Sequence, residues 1–448
     1  MEWAVVYEKY SKATDIICSA VEPYIDGGVS LGTEIPDDKS FIYTGVDKSL
    51  DDGFKIKVHP AKDEKQRIDI LGADETNLLY AAYDFKNKYI PYARYSNTHM
   101  NPFYFNNIFG EPFKEYDFTS KPKIKDRGIW TWGYVIYDYK KFIDNMVSIK
   151  LNTLIIWNDY LPVNIKEIID YAHQNGVKLY LGFAWGWDTK FVDISDTDKL
   201  IPGIINTFET QYRDLGCDGI YFQSFTEVRS DTINGISVAE TVTNFVNKIG
   251  SEILEKNKDF KLLFGLHATS VKTKLDVMKN VDNRISIIWE DAGAFPFDYV
   301  PVVGENAEDS TGFEETVEFT RKIRDLRDGG FGVVLKGLIC LNWNTFKHQK
   351  GEFVLGCADR SFILKRTEEK KDILKYLQAC WIKNAKYALE MMKEFKSDSM
   401  VTVLCEDGMF EEKLNYPMAL YAEMMWNSDQ STDDILCNTA LRPDVDFV

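Results

Sequence analysis

The chain has 448 residues, 45% hydrophobic and 27% charged, which is room for two or three cores at ~150 residues each, or for one barrel and a smaller domain. Seventy acidic against 53 basic residues leave a net charge of −17, a balance that repels nucleic-acid phosphate and anionic membrane alike. No apolar run approaches the ~20 residues of a membrane span, and the opening MEWAVVYEKYSKATD lacks a basic-then-apolar leader. The expectation is a cytoplasmic protein without nucleic-acid or membrane partners.

Residues 1–120 read as a small α/β domain. A helix is expected over 7–21, short strands near FIYTG and GFKIKVH, and a strand over 67–71 that turns at Gly72. From about Glu75 the spacing of Leu78, Leu79, Ala82, Tyr83 and Phe85 predicts a helix with one apolar face. The stretch 91–122 is rich in Tyr, Phe, Asn and Pro without a clear period and is expected as an irregular crossing segment.

Over 121–448 the pattern becomes a repeated alternation of short apolar strand and amphipathic helix, which implies a parallel sheet covered by helices. The strands are DRGIWTW, TLIIWND, KLYLGFAW, GIYFQSFTE, KLLFGLHA, ISIIWED, GVVLKGLICLNW and MVTVLCEDG. Eight of them predict a closed (β/α)8 TIM barrel, an α/β fold preceded by the small N-terminal α/β domain. Helices are expected at 139–149, 165–174, 201–215, 238–255, 272–279 and 314–326, with a long one over 368–394. Each strand ends in polar and aromatic residues, and in such barrels the C-terminal strand ends build one site.

Three segments carry a family resemblance: IDILGADETNLLYAAYDF, then RGIWTW with YKKFIDNMVSIKLNTLIIWND, and PMALYAEMMWNSDQSTDDI. They resemble the small domain, the first two barrel strands and the closing helix of the α-glucuronidases of glycoside hydrolase family 67, which are related to the hexosaminidase-type families. The resemblance implies a glycoside hydrolase that cleaves a short oligosaccharide by carboxylate acid/base catalysis, without a cofactor. A β-N-acetylhexosaminidase-like hydrolase and a non-catalytic carbohydrate-binding relative are the alternatives. Two departures bear on this reading. NWNTFKHQKG stands where the α-glucuronidases carry a Gln-Glu-Tyr motif, and Thr226-Glu227 stands where hexosaminidases carry an adjacent acidic pair.

Glycoside hydrolysis needs a carboxylic acid for the leaving oxygen and a second carboxylate as base or nucleophile. The resemblance places the acid at Glu227, in GIYFQSFTEVRS, and alternation would put Tyr221, Gln223, Phe225 and Glu227 on one side. A surface glutamate paired with Arg229 is the plainer alternative. For the partner, ISIIWEDAGAFPFDY offers Glu290, Asp291 and Asp298, and CEDGMFEE offers Glu406 and Asp407, though each also suits a cap or turn. Trp130, Trp185, Trp187, Trp289 and Trp343 are candidate stacking faces or core material. Asn158 and His267 are candidate hydroxyl or carboxylate contacts, Glu406 is also a candidate substrate-binding residue, and Arg127 could hold a sugar carboxylate or form a structural ion pair. Seven cysteines without a CxxC pair and five scattered histidines predict reduced thiols and no metal site.

Overall fold

The computed structural model describes residues 2–97, 108–158, 160–186, 194–225, 230–267, 273–290, 313–338 and 350–448. The chain forms two compact units. The first comprises Met1–Lys123 with Val147–Lys150 and Asp433–Phe447, and the second comprises Ile124–Met146 and Leu151–Thr432 with Val448.

The first unit is built on a six-stranded sheet of β1 (Trp3–Tyr7), β2 (Ser30–Gly32), β3 (Ser40–Val46), β4 (Phe54–Val58), β5 (Arg67–Gly72) and β6 (Tyr116–Ser120), in the order β2-β1-β3-β5-β4-β6. β1, β2, β3 and β5 run parallel, while β4 is antiparallel to β5 and β6. Helices Lys12–Val21 and Glu75–Asp84 cover it. The second starts at Asp74, whose carboxylate accepts the Asn77 backbone N–H at 2.7 Å and so satisfies one donor of the first turn.

Two expectations are corrected here. The helix expected over 7–21 begins only at Lys12, because WAVVY is strand β1, buried along its length as a parallel strand must be. The stretch expected to be irregular holds a helix, Ile90–Asn97, and the edge strand β6, which is too exposed along its length for burial to give it a period. A buried ammonium adds a specific tie within this unit: Lys150 is fully buried and donates to Asp84 at 2.8 Å.

The second unit is a closed barrel. Its strands are β7 (Asp126–Trp132), β8 (Thr153–Trp157), β9 (Lys178–Gly182), β10 (Gly219–Phe222), then, after a small hairpin of β11 (Thr232–Ile233) and β12 (Ile236–Ser237), β13 (Lys261–Leu266), β14 (Ile285–Trp289), β15 (Phe331–Leu338) and β16 (Met400–Cys405). All eight barrel pairings are parallel, and β16 closes onto β7. This is the (β/α)8 barrel expected from the strand count, preceded by an α/β sheet. The eight strands fall where the apolar runs place them.

The helices agree less closely. The long helix expected over 368–394 is three segments, Arg360–Glu369, Lys371–Lys383 and Ala385–Lys393, broken at Lys370 and Asn384. The helix over 201–215 is α-helical only for Ile201–Thr207 and then widens into a π turn at Phe208–Tyr212. Of the helix expected over 272–279 the single turn Leu275–Met278 forms.

Candidate functional site

Strand register decides which side chains face the barrel interior. The ring of Trp130 meets those of Trp157 and Tyr221, with centroids 6.4 and 5.6 Å away, across strands β7, β8 and β10, so these three face inward. Paired residues on neighbouring parallel strands share a face. Trp130 pairs with Leu404, Trp132 with Trp157, Trp157 with Gly182, and Gly182 with Tyr221; on the far side Gly265 pairs with Ile288, and Ile288 with Gly332. Counting two residues on toward the C-terminal ends puts Gln223, Glu290 and Glu406 on the inner face, and Lys336, four residues on from Gly332 where the β15 register shifts, joins them with its Nζ 4.0 Å from Glu290 Oε2. The ladder continues far enough to hold them, since the N–H groups of Glu290 and Glu406 donate to the carbonyls of Leu266 and Leu338.

Large and small residues alternate around this interior. A Cβ on Gly182 would lie 2.5 Å from the Trp157 ring, and one on Gly265 would lie 2.1 Å from the Tyr221 hydroxyl and 2.5 Å from Glu290 Oε1. Both glycines therefore yield the volume that the aromatic residues and the carboxylate occupy. Lower in the barrel, Asp126 and Lys178 form an ion pair of 2.5 Å between β7 and β9.

Glu290 is the centre of the first polar group. It is 3% exposed, and its Oε1 accepts from the Tyr221 hydroxyl and from the Gln223 amide. Its Oε2 lies 3.1 Å from His267 Nε2 and 4.0 Å from Lys336 Nζ. Burial, and then the charge of Glu290, push the Tyr221 phenol well above its ordinary range, so it stays a neutral donor. Four strands, β10, β13, β14 and β15, thus converge on one carboxylate.

The second group gathers where β16 ends. Glu406 accepts from Lys370 Nζ at 2.5 Å, and the same ammonium lies 2.9 Å from Asp407 Oδ1. Asp407 Oδ2 also accepts from Arg366 at 2.8 and 3.1 Å and from the Tyr137 hydroxyl. Burial alone would raise the Asp407 carboxyl, but Lys370, Tyr137 and Arg366 outweigh it and hold the group below its usual range. Glu411, 3% exposed, accepts the Tyr137 backbone N–H at 2.8 Å, and burial pushes its carboxyl up to about 7.

The residues singled out from sequence separate into distinct places. Glu290 and His267 are brought together, Glu406 stands on the same inner face, and Trp130 packs beneath them against Trp157 and Tyr221. Arg127 is not brought to this cluster. It is the second residue of β7, at the opposite end of the strand and on its outer face, with its guanidinium on the carbonyls of Ile124 and Lys125 and over the Trp426 ring. Trp289 points outward as well, edge-on to Phe319 of the helix Phe313–Arg324. Trp185 is fully buried, stacked on outward-facing Phe222 with centroids 3.6 Å apart. Asn158, also buried, donates to the Tyr160 carbonyl.

Glu227, Asp291, Asp298, Trp187 and Trp343 lie outside the described residues. Tyr221 and Gln223 do share a face, as alternation predicts. The alternation stops at Phe225, which has φ +52° and turns its ring toward Phe245 of the helix Val238–Lys256. Left-handed backbone in a bulky residue is uncommon and recurs at functional turns.

Sequence reasoning passed over Lys336, Lys370, Arg366 and Tyr137. Lys336 carries a signal, being the one charge inside GVVLKGLICL and in phase with the inward positions. Lys370 carries none, because nothing in EEKKDILK distinguishes it from its neighbours.

No family model matches the chain, and no curated protein matches it. Solved structures do. The β-N-acetylhexosaminidase from Bacteroides fragilis NCTC 9343 superposes with a TM-score of 0.54 at 13% identity, over 98% of this chain and 90% of that one. The protein CpGH84B gives 0.54 at 12% identity, over 98% and 70% of the two chains. The GH20 exo-β-N-acetylglucosaminidase from Vibrio harveyi, solved with N-acetylglucosamine, gives 0.51 at 10% identity, over 98% and 73%. At such identities the likeness is one of fold, and it extends over both units of the chain.

Proposed function

We propose that the protein is a glycoside hydrolase that acts on a neutral sugar of the N-acetylhexosaminide class, in preference to the uronosides that the α-glucuronidase resemblance implies. The observation that carries this choice is the charge pairing on the inner face. Among the described residues there, His267 and Lys336 face Glu290 and Lys370 faces Glu406, while Arg366 pairs with the adjacent Asp407. A uronate would have to compete with these carboxylates for their cations, whereas a neutral sugar can exchange hydroxyl and amide hydrogen bonds with the same groups. The names of the fold neighbours, two of them N-acetylhexosamine hydrolases, support the same class.

In this reading Glu227 is the general acid and Asp291 the second acidic group. Glu290, whose two oxygens already face four donors, stabilises charge and orients Tyr221, Gln223 and His267; proton donation falls to Glu227. The test compares hydrolysis of chitobiose, 4-nitrophenyl N-acetyl-β-D-glucosaminide and 4-nitrophenyl α-D-glucuronide. The N-acetylglucosaminides should be cleaved and the glucuronide left intact. Glu227→Gln should lower the chitobiose rate by ~10²–10⁴-fold and the rate on the activated aryl glycoside far less. Preferential cleavage of the glucuronide would reverse the choice of substrate, and binding of N-acetylglucosamine without any turnover would point to a carbohydrate-binding protein.

A further inference from the structure

Around the barrel β15 is followed by β16, β7 and β8. The segment 353–358, which precedes the helix Arg360–Glu369, reaches past β16 to the loops that follow β7 and β8. On the β7 side the Tyr139 N–H donates to the Gly356 carbonyl at 3.0 Å, and the Ala358 N–H to the Tyr137 carbonyl at 2.7 Å. On the β8 side the Val163 N–H donates to the Phe353 carbonyl at 2.9 Å. The Asn164 side chain then makes both bonds of a strand partner: its amide donates to the Leu355 carbonyl at 2.9 Å, and its carbonyl accepts the Leu355 N–H at 3.0 Å. Gly356, at φ +69°, permits the close approach, since a Cβ there would lie 2.7 Å from the Tyr139 backbone nitrogen. These bonds and buried Leu355 make the segment a fixed strap across the rim of the barrel.

What the strap and its β8 anchor leave in solvent is apolar. Val354 is 56% exposed, Val163, whose backbone is bonded to the residue before it, 62%, and Tyr160 in the same loop as Val163 46%. Asn158 steadies that loop by donating to the Tyr160 carbonyl. No charged residue occurs in 160–163 or 353–358, in a chain that is 27% charged. A single exposed apolar side chain is ordinary; here three share a backbone that hydrogen bonds hold still, at the end of the barrel where such folds bind their ligands. The loop leaves β8 directly after inward-facing Trp157, so the patch continues from the interior already described. β8 stands four places from β14 in either direction around the eight strands, across the mouth from Glu290.

We propose that the strap 353–358 and the β8 loop 160–163 form a second sugar-binding position at the barrel mouth, which takes an uncharged sugar ring of an oligosaccharide beyond the ring bound at Glu290. The inference rests on the proposed glycosidase reading for the chemistry at that first position. A sugar ring carries an apolar face of C–H groups rimmed by hydroxyls, which suits a patch of two valines and a phenol without charge. The distance across the mouth assigns the patch to a different ring from the one at Glu290. Asn164 touches no sugar in this scheme and acts by holding the strap.

The experiment compares chitotriose with N-acetyl-β-D-glucosaminyl fluoride, which has no second sugar, in the full chain. The ratio of kcat/KM on chitotriose to that on the fluoride should fall about tenfold in Tyr160→Ala with Val354→Ser, through KM, while Tyr160→Phe keeps the ring and the ratio. Asn164→Ala should lower the same ratio by freeing the strap. Ratios that match wild type in all these variants would overturn the proposal and leave the hydrolase reading intact. If wild type cleaves neither substrate, titration calorimetry decides. Chitotriose bound more tightly than N-acetylglucosamine, with the advantage erased in Tyr160→Ala with Val354→Ser, would uphold the second position while the hydrolase reading fails; equal affinities would overturn it. A dimer in sedimentation that Val354→Asp disperses would assign the patch to a second copy of the chain and likewise overturn it.

Discussion

Glu411 shows how one buried carboxyl writes itself into the pH dependence of the molecule. Its folded pKa of about 7 lies above the ordinary value of 4.5, and the first cause is burial. The folded state therefore binds this proton more tightly than the unfolded chain does. The associated stability is present in full below the unfolded value and is lost as pH rises through about 7. The shift corresponds to roughly 3 kcal/mol at most. Glu411→Gln keeps an acceptor for the Tyr137 N–H and removes the titration, so this variant should be more stable than wild type at pH 8 and near wild type at pH 4.5. Denaturant unfolding at the two pH values checks this, and a variant destabilised equally at both would show that the carboxylate is used as such. Little of this was legible beforehand. CEDGMFEE offers four acidic residues in sequence, and only tertiary burial distinguishes Glu411 from Glu412.

At the scale of elements, legibility followed how much a segment's local pattern agrees with its tertiary role. The barrel strands are apolar runs with turn residues at both ends, so all eight were readable. Helix Glu75–Asp84 was readable too, since Asp74 precedes an apolar face at helical spacing. Replacing that cap by alanine should cost about 1 kcal/mol of stability in denaturant unfolding, whereas Asp74→Ser should recover most of it. A loss under a few tenths in Asp74→Ala would mean that another group satisfies the Asn77 N–H. By contrast, β1 is a five-residue apolar run, too short for its period to separate strand from helix, and β6 is an edge strand with little burial to pattern it. The breaks at Lys370 and Asn384 sit inside sequence free of Gly and Pro, so no residue there announces them.

For the whole molecule, the strand count predicted the barrel, and Glu290, His267 and Glu406 stand at the C-terminal strand ends where such barrels build their sites. What strand ends alone do not reveal is which face a residue takes. Trp289 and Glu290 are neighbours in sequence, yet one packs outward on a helix and the other is the hub of the inner cluster. Register around the full circle of strands settles such questions, and no single segment contains it. The net charge of −17 belongs to the molecule at large, while the inner-facing carboxylates Glu290 and Glu406 stand close to Lys336 and Lys370.

The packing of Trp157 against Gly182 makes the layer beneath the polar cluster a matter of exchange between strands: space taken on β9 must be surrendered on β8. Gly182→Ala alone should cost ~1–3 kcal/mol, because its methyl group would enter the indole ring. Trp157→Leu alone should cost more, by leaving a void. Together the two changes should cost less than their sum, a coupling that a double-mutant cycle in urea would measure; strict additivity would refute it. Anyone wishing to reshape this packed interior would then need to redesign residues in cross-strand couples, since a single substitution has no neighbouring slack to draw on.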